Sequence, residues 1–479
     1  MIKNFFKIFF GNLFGKIIGF VREIITAYFY GTTFVIASFR VSQTALLIPI
    51  NFFTTDILNA GFIPLFNKYK KENIKKASSF FWLVKFILIF LSVILIFLVF
   101  IFGKKWLNII APGFNEKEIK IAFNFLKIMS VSIPFYLLST LYSFLAMSYD
   151  KYFLVSVRPI VQSVGIIISV ICAYYLDDIL FLAYGFAITY ILFYFFTFLH
   201  VKSFLKFYFF NVKTLFFDLF HSIKPLLLLP FFLQGNILIE RAIASLISVS
   251  TVAAVDYAKF ISESGVVLLA APLGLIGLTK FSVMKEDVLK ENLIKIINVL
   301  LIITIPVSTF IICYSDFIIK LIFERGAFNL DSVNTTSMIL MGLGIGFWAQ
   351  VVSYILIKSL NAQRKNKIVL IFMVIALVIN SLFNVIFYKL LGSLTIGIGA
   401  SIYGIVLFIL LIKYFGIFNK ISRNFIKLFI YSFLIGVSGF YLKKFDIYIS
   451  IVFFLIYWGI LVLLDKDIKE KILILRNRN

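Results

Sequence analysis

The sequence predicts an all-α, polytopic membrane protein of about fourteen transmembrane helices, in two parallel six-helix lobes followed by two further helices. Three observations predict it. Hydrophobic residues fill 62% of the 479 positions, and the mean hydropathy is +1.05, an apolar fraction above that of soluble domains. Apolar runs of about 20 residues, the length that crosses the hydrocarbon core, recur from end to end with no long polar block between them. The loops between the runs alternate between strongly and weakly basic, as in a chain that threads a membrane repeatedly.

The spans fall at about 5–30, 34–66, 79–103, 119–147, 152–176, 179–201, 221–248, 251–279, 292–315, 331–361, 366–390, 393–416, 425–442 and 446–464. Basic loops follow spans two ("NKYKKENIKK"), six ("VKSFLKFYFFNVK"), eight ("TKFSVMKEDVLKENLIK"), ten ("QRKNK") and twelve ("KYFGIFNKISRN"), and the tail is "DKDIKEKILILRNRN". The opposite loops, such as "YGTT", "LDD" and "SVS", carry few lysines; "GKKWLNIIAPGFNEKE" and "LKKFD" are the exceptions. The alternation puts both termini in the cytoplasm. It also reads the net charge of +24 as a topology signal, with some attraction to anionic lipid and none implied to nucleic acid.

An internal repeat sets the domain plan. "IIAPGFNEKEIKIAFNFLKIMSVSIPF" (109–135) aligns with "IFERGAFNLDSVNTTSMILMGLGIGF" at an offset of about 214, and "AMSYDK" with "NAQRK" at the same offset. "GFIPLF" pairs with "GLIGLT", Arg22 with Arg241, and Arg40 with Lys259. Residues 1–217 and 218–419 are therefore expected to be two copies of one six-helix lobe, with 420–479 adding two helices and a basic cytoplasmic tail. Six is even, so both copies begin on the same side. Twin parallel lobes predict a transporter that works by alternating access, with its site between them.

Charges inside spans cost roughly 2.5–3.5 kcal/mol each on insertion scales, so they face a partner or a wet cavity. They cluster in spans one, two, seven and eight. Lys16 and Glu23 share a helical stripe and Arg22 lies about 100° round from Glu23. Span two holds Arg40, Asn51 and Asp56, with Pro49 between; span seven holds Glu240 and Arg241; span eight holds Asp256, Lys259 and Glu263 on one face; Arg158 stands beside Pro159 in span five. The candidate substrate-binding set is Lys16, Arg22, Glu23, Arg40, Asn51, Asp56, Glu240, Arg241, Lys259 and Glu263. Its slightly basic balance points to an anion, because guanidinium groups grip phosphate oxygens bidentately. The competing reading is that Lys16–Glu23 and Lys259–Glu263 are ion pairs that lock helices together.

The motifs resemble those of the MurJ/MviN lipid II flippases of the MOP superfamily. "GKIIGFVREIITAYFYG" is similar to the family's "RxxGFxRDxxxAxxFG", and "GFIPLFNKYK" to "AFVPxxxEY". "IIAPGF", "DYAKF…ES", "FERGAF" and "LNAQRKNK" also have counterparts, and the likeness covers nearly the whole chain. It implies a flippase that moves a lipid-linked peptidoglycan precursor, a polyprenyl-pyrophosphate glycan, from the inner to the outer leaflet of the bacterial cytoplasmic membrane. It further implies cavity arginines on the pyrophosphate, last helices that shape a groove for the polyprenyl tail, and a monomer. Lys16 stands where the family has arginine, Arg22 matches directly, Glu23 replaces aspartate, Glu263 matches a glutamate, and Glu240–Arg241 resembles an acidic–arginine pair. Family charges are absent at Ala37, Asn51 and Phe260, with Arg40 and Lys259 placed to replace the lost cations.

No catalytic dyad, cofactor motif or ATPase is expected. "GNLFGK" (11–16) is one residue short of a phosphate loop and lies in a span. Cys172 and Cys313 read as buried apolar residues, not as a disulfide or metal site, and His200 and His221 form no ligand cluster. A coupling ion is left open. The alternative functions are a polysaccharide repeat-unit flippase of the same superfamily, then a MATE-like drug antiporter, then a cell-envelope scaffold.

Overall fold

The computed structural model describes residues 2–54, 58–204, 206–208, 212–224, 227–281 and 284–464. Among them the chain is helical throughout, and it divides into two compact units. The first, Met1–Ala253 with Phe323–Ser332, holds α1 (Ile2–Tyr30), α2 (Phe34–Phe53), α3 (Asn59–Glu72), α4 (Ile74–Ile110), α5 (Glu116–Ser130), α6 (Ile133–Met147), α7 (Phe153–Tyr175), α8 (Phe181–Val201), α9 (Val212–Ile223), α10 (Leu228–Ile247) and the start of α11 (Val249–Phe281). The second, Ala254–Ile322 with Val333–Asn479, holds the rest of α11, then α12 (Glu286–Phe323), α13 (Leu330–Ala362), α14 (Asn366–Leu391), α15 (Leu394–Phe415), α16 (Phe418–Leu442) and α17 (Ile447–Leu464).

Nine of the described helices are long and apolar enough to cross a membrane, and up to eleven if the bent pairs α5–α6 and α9–α10 each make one span. The sequence led us to expect fourteen. That count covers the described residues alone and leaves α1, α11 and α17 outside it. The single span expected over 34–66 is described as α2 and α3, on either side of residues 55–57, which lie outside the described residues. The span expected over 119–147 bends by 48° between α5 and α6, where Pro134 opens α6.

In the first unit α2 is central. Its crossing window is 72% buried, against 28% for α4, whose Phe86, Phe90 and Phe97 face outward. Hydroxyls tie α2 to α5: Ser42 Oγ donates to the Ala122 carbonyl at 2.7 Å, and Phe39 meets Phe125 edge to face. Trp106 of α4 donates to the Ala45 carbonyl at 3.0 Å. Glycines let α1 lie against α7, since a Cβ on Gly11 would stand 2.5 Å from Ser156 Cβ and one on Gly15 3.1 Å from Pro159 Cβ. This is the four-residue small-residue spacing of close helix pairs in membranes.

The repeat reappears as one local structure. Asn115 caps α5, accepting from the Glu118 N–H while Glu118 reaches back to the Asn115 N–H. Asn329, 214 positions later, accepts from the Ser332 N–H at 3.0 Å as α13 begins. Ser332 also shares a 2.7 Å hydrogen bond with Thr32, and the Ala327 N–H donates to the Tyr28 carbonyl at 2.8 Å, which seats the 323–332 turn on the end of α1.

In the second unit α13 is the buried centre, 78% of its crossing window being covered. Ser401 of α15 inserts its hydroxyl into the α13 ladder, accepting from the Gly346 N–H at 2.8 Å and donating to the Gly342 carbonyl at 2.6 Å. Helices α16 and α17 dock on α12 through a cluster of Cys313, Tyr314, Ile435 and Phe454. Tyr314 and Ser450 share a 2.6 Å hydrogen bond there. Lys443 donates to Asp316 at 2.5 Å and to the Cys313 carbonyl at 2.9 Å, so one lysine of the exceptional "LKKFD" loop is neutralised locally. Cys313 is buried, Cys172 is half-buried, and both are free thiols.

Candidate functional site

The charges that the sequence places in α1 and α2 form one buried network. Glu23 is 1% exposed. Arg22 Nε donates to Glu23 Oε1 at 3.0 Å, and Arg22 Nη2 closes on the same oxygen. Arg40 Nη2 donates to Oε2 at 2.6 Å. The long guanidinium arm of Arg22 folds back across the 100° that separates neighbouring helix positions. Both carboxylate oxygens of Glu23 therefore accept from arginines. Two guanidiniums thus share the Glu23 carboxylate. Its burial is tolerated because the carboxylate is fully engaged. Arg40, with a side chain 9% exposed, is the deep counterion; Arg22, at 16%, is the more accessible.

A second polar knot lies in the same unit. The Tyr136 hydroxyl of α6 donates to Asn51 Oδ1 at 3.3 Å. The Arg158 guanidinium of α7 stacks over the Tyr136 ring at 4.4 Å. Beside Tyr136 stands Tyr190 of α8. The two tyrosine rings are 4.6 Å apart. Arg158 Nη2 is buried and meets no acceptor in the protein. Sequence reasoning set Arg158 in a span without assigning it to the site. Those tyrosines come from helices remote in sequence, and no spacing signals them.

The remaining candidates are spread along both units. Glu240 is buried in α10, and Arg241 Nη1 donates to the Val252 carbonyl at 2.7 Å. Lys16 is half-buried in α1. In the second unit Asp256 and Lys259 are half-buried and Glu263 is exposed. Asp56 lies outside the described residues. Among the described residues no three His, Cys, Asp or Glu side chains come together to hold a metal ion.

The comparisons agree with one another. A family model described as "Lipid II flippase MurJ" matches residues 26–459. The "Probable lipid II flippase MurJ" of Buchnera aphidicola subsp. Schizaphis graminum is 24% identical over 492 residues, spanning 98% of this chain and 93% of the relative. The protein of the same description from Thermotoga maritima is 22% identical over 395 residues, 82% of this chain and 80% of the relative. Among solved structures, "Lipid II flippase MurJ, inward closed conformation" superposes with a TM-score of 0.82 at 21% identity, over 95% of this chain and 98% of that one. An inward-facing multidrug resistance MATE family transporter of the MOP superfamily gives 0.68 at 14% identity, over 86% and 95%. These likenesses show a shared fold.

Proposed function

Because the chain belongs to the MurJ family of lipid II flippases, and is a multi-pass membrane protein of a transporter family, we propose that it carries a polyprenyl-pyrophosphate-linked peptidoglycan precursor from the inner to the outer leaflet. The observation that carries this reading is the buried Arg22–Glu23–Arg40 network. It sets two guanidiniums on one carboxylate inside an apolar bundle, and guanidiniums are matched to pyrophosphate oxygens. Arg40 neutralises Glu23, and Arg22 exchanges Glu23 for a phosphate oxygen. The headgroup enters while the polyprenyl tail stays in lipid. Binding favours closure to the extent that it makes contacts the empty state lacks. The inward-negative potential helps an anion leave, by about 2.3 kcal/mol per charge per 100 mV.

In this reading residues 1–217 and 218–419 act as two lobes in alternating access, 420–479 serves the lipid tail, and both termini are cytoplasmic. Lys16, Asn51, Asp56, Glu240, Arg241, Lys259 and Glu263 complete the polar lining, with Arg40 and Lys259 replacing the cations missing at Asn51 and Phe260.

The test is depletion of a host's native lipid II flippase and rescue by this chain. Rescue is expected from the intact protein and not from Arg22→Ala at equal membrane abundance. Normal growth of the Arg22→Ala/Arg241→Ala double variant would reject the anion site. Failure of a correctly inserted intact chain to rescue would favour the polysaccharide-unit flippase, the reading to which Ala37, Asn51 and Phe260 lend support.

A further inference from the structure

We propose that Arg158 is a phosphate-binding residue of the transport site, and that it meets the substrate's pyrophosphate through the guanidinium arm that no protein acceptor holds. The inference rests on the flippase reading and adds a residue to it. Its basis is geometric. Arg22 and Arg40 direct donors to Glu23, and Arg241 directs one to a backbone carbonyl. Arg158 has no carboxylate among its described partners; it has the face of Tyr136 at 4.4 Å. A guanidinium over an aromatic face is held by the ring's quadrupole and presents its donors in a fixed, planar fork. That arrangement is organised in advance for a planar, bidentate grip on phosphate oxygens.

A residue that served only to lock α6, α7 and α8 together would be expected to have its donors satisfied. Arg158 Nη2 is instead buried without an acceptor, which costs the desolvation of a charged donor. The cost applies to this conformation, in which the arm is sealed. When the site opens and a phosphate oxygen arrives, the cost is removed. Arg158 thus supplies a contact that differs between the empty and loaded states, the only kind that couples binding to a conformational change. Its neighbours fit the role. Tyr136 links the stack to Asn51 at 3.3 Å, and its ring lies 4.6 Å from that of Tyr190.

The test uses the full-length protein in detergent with two probes, lipid II and polyprenyl pyrophosphate without glycan. Affinities are measured for the wild type, Arg158→Gln and Arg158→Lys, alongside thermal unfolding without ligand. We expect Arg158→Gln to bind both probes ten- to a hundredfold more weakly, about 1.4–2.8 kcal/mol, and Arg158→Lys to recover part of the loss. Lysine restores the charge but not the stacked fork. Affinities within twofold of wild type for Arg158→Gln, or equal losses in Gln and Lys variants that track a fall in ligand-free melting temperature, would overturn the assignment and leave the flippase reading standing. Wild-type binding to polyprenyl pyrophosphate alone would overturn the lipid II reading, with Arg158 then judged on that probe. Binding of neither probe would overturn both.

Discussion

Replacing Glu23 with glutamine tests whether the α1–α2 network is held together by one shared carboxylate. The side chain of Glu23 is 2% exposed, that of Arg40 9%, and the Nη2–Oε2 distance is 2.6 Å. Removing one partner of a buried pair costs about 3–5 kcal/mol, because the other charge stays buried without compensation. A Coulomb estimate for charges about 4 Å apart at an effective dielectric constant near 20 gives about 4 kcal/mol, in the same range. Arg22, more exposed at 16%, adds less, because water screens part of its charge. Glu23→Gln should therefore lose about 3–5 kcal/mol, nearly all of it through Arg40. The measurement is reversible unfolding in mixed micelles titrated with denaturing detergent. The double variant Glu23→Gln/Arg40→Met should be far more stable than the sum of the single changes, because the deeper cation leaves with the carboxylate and only the more accessible Arg22 stays behind. A Glu23→Gln cost below about 1 kcal/mol, or strict additivity in the double variant, would refute the shared-carboxylate argument.

Three further changes probe other parts of the molecule. Gly326 has φ of +59° and a Cβ there would run into the Tyr28 carbonyl, whereas Gly416, left-handed at φ +66°, has open space around it. Gly416→Ala should lose about 1–2 kcal/mol in unfolding titrations from the left-handed backbone alone, and Gly326→Ala clearly more, so equal losses would count against the packed turn. Ser401→Ala strands the Gly346 N–H and should cost about 1–3 kcal/mol, with faster amide exchange at Gly346 as the local readout. The Tyr69 hydroxyl, in the basic loop region, donates to Asp218 Oδ2 at 2.5 Å, and burial together with that carboxylate raises its pKa above the ordinary 10.0. A raised folded pKa means that its contribution is complete below about pH 10 and declines as pH rises further. Melting temperatures from pH 9 to 11 should thus fall more steeply in the wild type than in Tyr69→Phe.

Much of the site's chemistry can be read in the residues, and much less of its pairing. Arg22, Glu23 and Arg40 stand out because charge in an apolar run is costly and needs a reason. Helical spacing alone links Glu23 to Lys16, seven positions away. The structure gives Glu23 to its sequence neighbour and to a residue on the next helix, because side-chain reach and the approach of α2 decide the contact. Arg158 is visible as a charge beside a proline, but its place over Tyr136 joins helices that no local pattern connects. The bend between α5 and α6 has a local cause in Pro134. The seating of Ser401 in the α13 ladder has none that could be read in advance, since it depends on which helix lies against Gly342 and Gly346.

By itself the sequence determined that this chain is helical, that it belongs in a membrane, and that it keeps phosphate-matching cations within apolar segments. Those properties follow from hydropathy, spacing and the cost of burying charge, all of which are local. The tertiary structure alone decided that Arg22 and Arg40 meet on one carboxylate and that Arg158 lies over the face of a tyrosine. Such pairings are set by which helices approach closely enough, and close approach depends on glycines and hydroxyls meeting across the bundle.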